Sequence, residues 1–416
     1  MTIYERLGIR GVINGVGTVT RLGGSLMPPP VLEAMLEAAR SYVPLPELQA
    51  ACGQRIAELT HNEACYISSG AAAGLVLATA ACITGNDPEK MALLPHPERI
   101  PNGKTKVIMH RCQRIGYDFA VRQVGVEIVE VGPSRAEAAA GKQTAEAEME
   151  AAIDERTAAV LYIAGTPHAP GALPLERVVQ LAHARGVPVV VDAAAQIPPV
   201  ENLWRFTGRG HALPAPWAQA LAAAGVPEAS QPPPETIEPA GADLAIFSGG
   251  KGLCGPQSAG LVLGRADLVA AMARQGNPNA LIGRPMKVGK EELCGMVAAV
   301  EWYLGLDFTA LAARYEAQVQ HVIDAVAGLK GVVAQRAWPN EAGQPLPRAL
   351  IHLAPELGLT RDDLQRRLLA RDPAIELAGA GQDGVYVNPQ TLREGDEVLV
   401  ADALADILSQ VPAAAG

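Results

Sequence analysis

The chain has 416 residues, of which 49% are hydrophobic and 19% charged, and its net charge is −10. That length and apolar content suit one large and one smaller domain around a sizeable buried core. Aromatics make up only 4% and no Lys/Arg-rich block stands out, which excludes a broad polyanion-binding face and a nucleic-acid surface built on stacked bases. The six cysteines form no CxxC pair, so neither a disulfide framework nor a metal site is expected. The N-terminal MTIYERLGIRGVING lacks an apolar signal core, and no apolar run reaches the roughly 18 residues that span a bilayer. A cytoplasmic protein with no membrane partner is the expectation.

In chain order, short β-rich runs alternate with helical patterns. ACYIS (64–68), KVIMH (106–110), VEIVEV (126–131), AAVLYIA (158–164), VPVVVD (187–192), DLAIFS (243–248) and AGLVLG (259–264) read as strands. Several are apolar throughout, as strands buried on both faces are. In LPLERVVQLAHARG (173–186), Leu175, Val178, Val179 and Leu181 share one helical face and Gly186 supplies a stop. This alternation predicts an α/β fold, a mostly parallel sheet flanked by helices, with ligands beyond the carboxyl ends of the strands. Two segments break the pattern. Residues 86–106 read as a long polar loop, and 205–240 as a Pro- and Ala-rich insertion with a short helix at PWAQALAAAG. A flexible surface insertion is the plain reading, and an active-site cover or subunit contact the sharper one. From about 286, long helical stretches at KVGKEELCGMVAAVEWYLGL and LAARYEAQVQHVIDAVAGL precede weaker strand signals and two further helices. The expected organisation is an N-terminal segment (1–45) packing on the core, a large domain (46–285) and a smaller C-terminal α+β domain (286–416).

FSGGKGLCGPQSAG (247–260) sets Lys251 among five glycines. It is not a nucleotide-binding P-loop, which needs a glycine six residues before the lysine and Ser or Thr after it; Ala245 and Gly252 stand there instead. A better anion cradle lies earlier, where the run 64–68 ends and Ser69, Gly70 and Ala71 open a helix of small residues. Unpaired N–H groups at a helix start bind phosphate, and small side chains let it approach. Tight helix–sheet packing is the structural alternative. Lys251 then reads as a reactive amine. Lysine amines form Schiff bases with carbonyl cofactors, above all pyridoxal 5'-phosphate. That cofactor needs a lysine, a helix N-terminus for its phosphate, a carboxylate for its ring nitrogen and a flat neighbour. VVVDAAAQ ends an apolar strand on Asp192, where a carboxylate is unfavourable unless it meets a cation; a helix cap is the plain alternative. His110, ending KVIMH, is the candidate to stack on the ring, against an ordinary strand-end histidine. Ser248 is placed to donate to the phosphate, and Gln196 to reach the ring hydroxyl.

The order of these motifs resembles fold-type I pyridoxal-phosphate enzymes, and within them the branch of selenocysteine synthase and D-glucosaminate-6-phosphate ammonia-lyase. The similarity runs through most of the chain, including GVINGVGTVTRLGGS, ELQAACGQRIAELTHNEACYISSGAAAG, HRCQRIGYDFAVRQVGVEIVEVG, VPVVVDAAAQIPPVENL, GADLAIFSGGKGLCGPQSAGLVLGR and VNPQTLREGDEVLVADAL. The resemblance implies that Lys251 carries the cofactor and Asp192 pairs with its pyridinium. It places Ser69, Gly70, Ala71 and Ser248 near the phosphate and His110 against the ring. IGRPMKVGKEEL matches a stretch near the active site of such folds, so Arg284 is a candidate for an anionic group, a surface salt bridge being the alternative. His168 in GTPHAPG follows a strand and is a candidate for proton transfer, against a solvated loop histidine.

The reaction this implies is α,β-elimination from an amino acid or amino sugar acid, giving a 2-oxo acid and ammonia, with the freed lysine as base. β-Replacement of the selenium-transferase kind, racemisation and transamination begin with the same proton removal and stay open. A non-catalytic scaffold is the remote alternative, opposed by the intact Lys251–Asp192 pair. The negative charge disfavours a tRNA partner. By resemblance, a homodimer or higher homo-oligomer is expected.

Overall fold

The computed structural model describes residues 2–208, 213–227, 236–237 and 239–410. The first strand is β1 (Val12–Gly15), followed by β2 (Ala64–Ser68), β3 (Lys106–His110), β4 (Glu127–Val131), β5 (Thr157–Ile163) and β6 (Val189–Asp192). A short ribbon, β7 (Leu213–Pro214) and β8 (Thr236–Ile237), precedes β9 (Leu244–Ser248) and β10 (Gly260–Gly264). The chain ends with β11 (Val332–Ala337), β12 (Arg348–Leu353), β13 (Ala374–Ala380) and β14 (Gly384–Val387), then the helix Asp396–Ser409.

Seven strands form one sheet in the order β2-β10-β9-β6-β5-β3-β4. They are the seven runs expected from sequence. All pairs are parallel except those of β10, which runs against both β2 and β9. Side chains alternate across the sheet. Ile67, Ile108, Val160, Val191 and Phe247 enter one core, while Tyr66, Met109, Leu161, Val190 and Ile246 enter the other. The helix Ala71–Thr84 has no charged residue and is buried continuously from Ala73 onward. Its small residues allow this. A Cβ on Gly74 would lie 2.9 Å from Val262 Cγ2 and 3.1 Å from Ile246 Cγ2.

A second sheet has the order β1-β13-β14-β12-β11, with β1 parallel to β13 and the other pairs antiparallel. The N-terminal segment therefore joins the C-terminal sheet. The helix Phe308–Val326 packs on both cores. Phe308, Ala312 and Tyr315 enter the core of the large sheet, whereas Val319, Val322 and Val326 enter that of the second. At 19 residues this helix is about 28 Å long, enough to reach both.

The segment expected as a loop at 86–106 contains the helix Pro88–Leu93, capped by Asp87, and buries Met91 and Ile100. The described part of 205–240 is likewise packed and not a loose surface loop. Its helix Pro216–Ala223 buries Trp217 and Leu221, with the Trp217 ring set edge-on to Phe308 at 5.8 Å. The buried Glu201 carboxylate accepts from Trp217 N at 3.2 Å and Ala218 N at 3.1 Å, satisfying that helix start. Residues 209–212, 228–235 and 238 lie outside the described residues. Among the described residues no single helix is long and apolar enough to cross a membrane.

Candidate active site

Reversal of β10 puts its start and the carboxyl ends of β2, β9, β6, β5 and β3 on one edge of the sheet. Gly260 lies opposite Ser68 on one side and Ser248 on the other. On the next strand, Asp192 lies between Ile246 and Ile163. Lys251 follows three residues after the end of β9. The topology thus gathers Lys251, Asp192, Ser248 and the Ser69–Ala71 turn at one edge of the sheet.

The charges there are set by burial. Asp192 is 7% exposed, and its carboxylate accepts from Ala194 N at 3.0 Å. Burial raises its pKa, opposed by the Ala194 N–H and by the Lys251 charge. The Lys251 amine is pushed down by burial and pulled up more weakly by Asp192. The two groups attract one another, yet among the described residues no ion pair closes between them.

The anion cradle is built from missing side chains. Gly70 caps the helix Ala71–Thr84 with φ +95° and no side-chain cap. The first intrahelical bond is Gly74 N to Gly70 O at 3.1 Å, so the N–H groups of Ala71, Ala72 and Ala73 have no helical acceptor. Ser68 Oγ donates to Gly70 O at 2.8 Å and fixes the turn. A Cβ on Gly260 would sit 2.7 Å from Gly70 C and 2.8 Å from Ala71 N, so strand and helix start meet only because that residue is glycine. Ser69 and Ser248 are both half-buried beside this turn.

The remaining candidates are less uniform. His110 is wholly enclosed, at 0% exposure. Its Nε2 accepts from Leu173 N at 3.1 Å, its ring stands edge-on to Tyr162 at 6.0 Å, and Nδ1 is buried without a partner. Burial also holds its pKa down at about 4, so the imidazole is neutral. Gln196 is buried and donates to Ala342 O at 3.0 Å. His168 is half-buried with Nδ1 unpartnered, and burial with the nearby Arg135 lowers its pKa. Arg284 is exposed and donates to Asn277 Oδ1 at 3.2 Å.

One residue escaped the sequence reading. Arg348 opens β12 at 8% exposure, its guanidinium 3.8 Å above the Tyr386 ring. It donates to Glu341 Oε2 at 3.2 Å and to Pro339 O at 3.3 Å, and its Nε is buried without a partner. The loop carrying Glu341 closes on the site through Ala342 to Gln196 and through Gln344 to Ile197 O. A lone arginine inside a Leu/Ala-rich stretch carries no sequence signal for such a position.

A phosphorylated carbonyl cofactor with a basic ring nitrogen fits this arrangement. The amine is desolvated. The buried carboxylate, with one recorded N–H donor, has acceptor capacity to spare. The helix start leaves the Ala71, Ala72 and Ala73 N–H groups without helical acceptors, as a phosphate requires. These are the sites that pyridoxal 5'-phosphate requires, and sheet and site together define a fold-type I pyridoxal-phosphate enzyme.

No protein-family model matches the chain. It is 33% identical over 414 residues to D-glucosaminate-6-phosphate ammonia lyase of Salmonella typhimurium, covering 97% of each. It is 31% identical over 416 residues to 5'-C-glycyluridine monooxygenase-decarboxylase of a Streptomyces species, covering 97% of this chain and 92% of that one. A solved structure of D-glucosaminate-6-phosphate ammonia-lyase matches with a TM-score of 0.76 at 32% identity, over 99% of both chains. The chain belongs to the D-glucosaminate-6-phosphate ammonia-lyase family of fold-type I pyridoxal-phosphate enzymes.

Proposed function

We propose that the protein is a pyridoxal-phosphate-dependent ammonia-lyase for a 2-amino-3-hydroxy acid of the amino acid or amino sugar acid class. The observation that carries this reading is the desolvated Lys251 amine on the turn after β9, beside the buried Asp192 carboxylate at the end of β6. When bound, the cofactor supplies an electron sink for the bonds at the substrate Cα. Lys251 would hold it and, as a free amine, would take the proton from the substrate Cα. Burial lowers the Lys251 pKa and so favours the neutral amine that such a base requires. Asp192 holds a proton on the ring nitrogen. The N–H groups of Ala71–Ala73, with Ser69 and Ser248, hold the phosphate. Loss of the Cα proton and the β-hydroxyl, then hydrolysis, gives a 2-oxo acid and ammonia. His110 is the candidate for the ring's flat neighbour, Gln196 for the ring hydroxyl and His168 for assisting proton transfer. Arg348 is a stronger candidate than Arg284 for the substrate carboxylate. It is buried, with an unpaired Nε, and its partner Glu341 is half-exposed and can be displaced.

The same reading includes a cytoplasmic homodimer or larger assembly. Support comes from apolar side chains exposed on the N-terminal segment of a single chain: Leu26, Leu32, Leu36 and Tyr42, the last 103% exposed. The test is ammonia release over a panel of D- and L-hydroxy amino acids and amino sugar acids. Wild-type protein is expected to release ammonia and a 2-oxo acid in equal amounts, and Lys251→Ala none. Turnover at the wild-type rate in Lys251→Ala would sink the assignment. The similar identity to a monooxygenase-decarboxylase favours one second reading, oxidative decarboxylation. Oxygen consumption with carbon dioxide release would identify it.

A further inference from the structure

The run GVINGVGTVTRLGGS takes no part in the site as described, yet it touches both sheets. At one end, Val12–Gly15 pairs in register with Ala374–Leu377 of β13. Thr391 Oγ1 donates to Asn14 O at 2.7 Å, Asn388 N donates to Gly15 O at 2.8 Å, and Arg21 is ion-paired with Glu376. The Asn14 side chain braces the next turn, donating to Gly17 O at 3.0 Å and accepting from Val16 N at 2.9 Å. At the other end the run lies on the lysine turn. Ser25 N donates to Gly250 O at 3.0 Å, and Gln257 Nε2 donates to Thr20 O at 3.0 Å. Gly24 has φ +75°, and a Cβ there would sit 2.3 Å from Gly250 O. The Ser25 hydroxyl neighbours the Cys254 thiol, and Cys254 N donates to Lys251 O at 2.9 Å.

The Gly250 carbonyl and the Lys251 N–H belong to one planar peptide unit. Whatever holds that carbonyl therefore fixes the start of the lysine residue. We propose that the Gly24–Ser25 corner is a positioning element for Lys251, and that it ties the lysine's placement to the second sheet. The inference rests on the reading of Lys251 as the cofactor lysine. A shift of the second sheet pulls on β1, on the braced turn after it, and so on the Gly250 peptide. Misplacement by about 1 Å at a reacting group lowers a rate by roughly 100-fold.

The experiment compares Gly24→Ala with Gly328→Ala, both loaded with cofactor. Gly328 has φ +79° with nothing within 4 Å of an added Cβ, so it carries a similar backbone strain without the contact. Three quantities are read: the pH midpoint of the visible absorption band, kcat against KM, and the thermal midpoint. Gly24→Ala is expected to move the band's midpoint by about half a pH unit or more. It is also expected to lower kcat by about 10- to 100-fold with KM little changed. Gly328→Ala is expected to move neither. Should Gly24→Ala fail to fold, Gln257→Ala removes the second tie and spares the corner, and a smaller shift in the same quantities supports the proposal. A band midpoint and kcat at wild-type values in the folded variant overturn it. If the wild-type protein shows no visible band, the proposed function fails, and this inference with it.

Discussion

At Asp192 and Lys251 desolvation works against both charges, and each is rescued in part by the other. A cationic ring nitrogen beside Asp192 would restore the charge balance that burial removes. Asp192→Asn keeps the shape and removes that pairing. It is expected to lower kcat by about 100-fold or more at saturating cofactor, measured by ammonia release. His110 gives a separate handle on stability. Its pKa lies at about 4 in the folded chain, against an ordinary 6.5. As pH falls, the unfolded chain takes up this proton first. The stability that the neutral, buried imidazole permits is complete above about 6.5 and is lost as pH falls toward 4, by up to about 3 kcal/mol. Urea midpoints at pH 7 and 4.5 should separate widely for the wild type and less for His110→Gln. Equal separations would remove His110 as the cause.

Among the elements, the helix Ala71–Thr84 and strand β10 depend most on one another. Gly260→Ala forces a Cβ into the backbone of Gly70 and Ala71. The variant should lose about 1–3 kcal/mol of stability, and its cofactor affinity should fall more than that of Gly186→Ala, where an added Cβ meets nothing within 4 Å. Equilibrium dialysis of the two variants checks this. The same elements show what the sequence could reveal. Most strands of the large sheet were legible because strands buried on both faces read as apolar runs, and the edge strand β4 by the Ile and Val residues set among its glutamates. Ser69–Ala71, Asp192 and Lys251 were legible because each follows such a run. The reversal of β10 was not, since an apolar strand looks alike in either direction. Arg348 was not, because its burial depends on Tyr386 from β14 and on Glu341, neither near β12 in pattern. The packing of Trp217 was hidden because Pro- and Ala-rich segments carry no periodicity that distinguishes a wall from a loop.

Across the whole molecule, the N-terminal segment serves two purposes. Its inner residues join the second sheet and the lysine turn, while its outer residues leave Leu32, Leu36 and Tyr42 uncovered. Large exposed apolar groups favour association. Sedimentation should give a mass at least twice that of the chain for the wild type, and a shift toward the single chain for the double variant Leu36→Glu, Tyr42→Glu. Assembly unchanged in that variant would place the interface elsewhere. The proposed chemistry depends on Lys251. Borohydride reduction of the cofactor-loaded protein, followed by digestion and mass spectrometry, locates the lysine that holds the cofactor. The predicted result is a single pyridoxyl label on the peptide containing Lys251. A label on any other lysine, or none on a protein that absorbs in the visible, would contradict it.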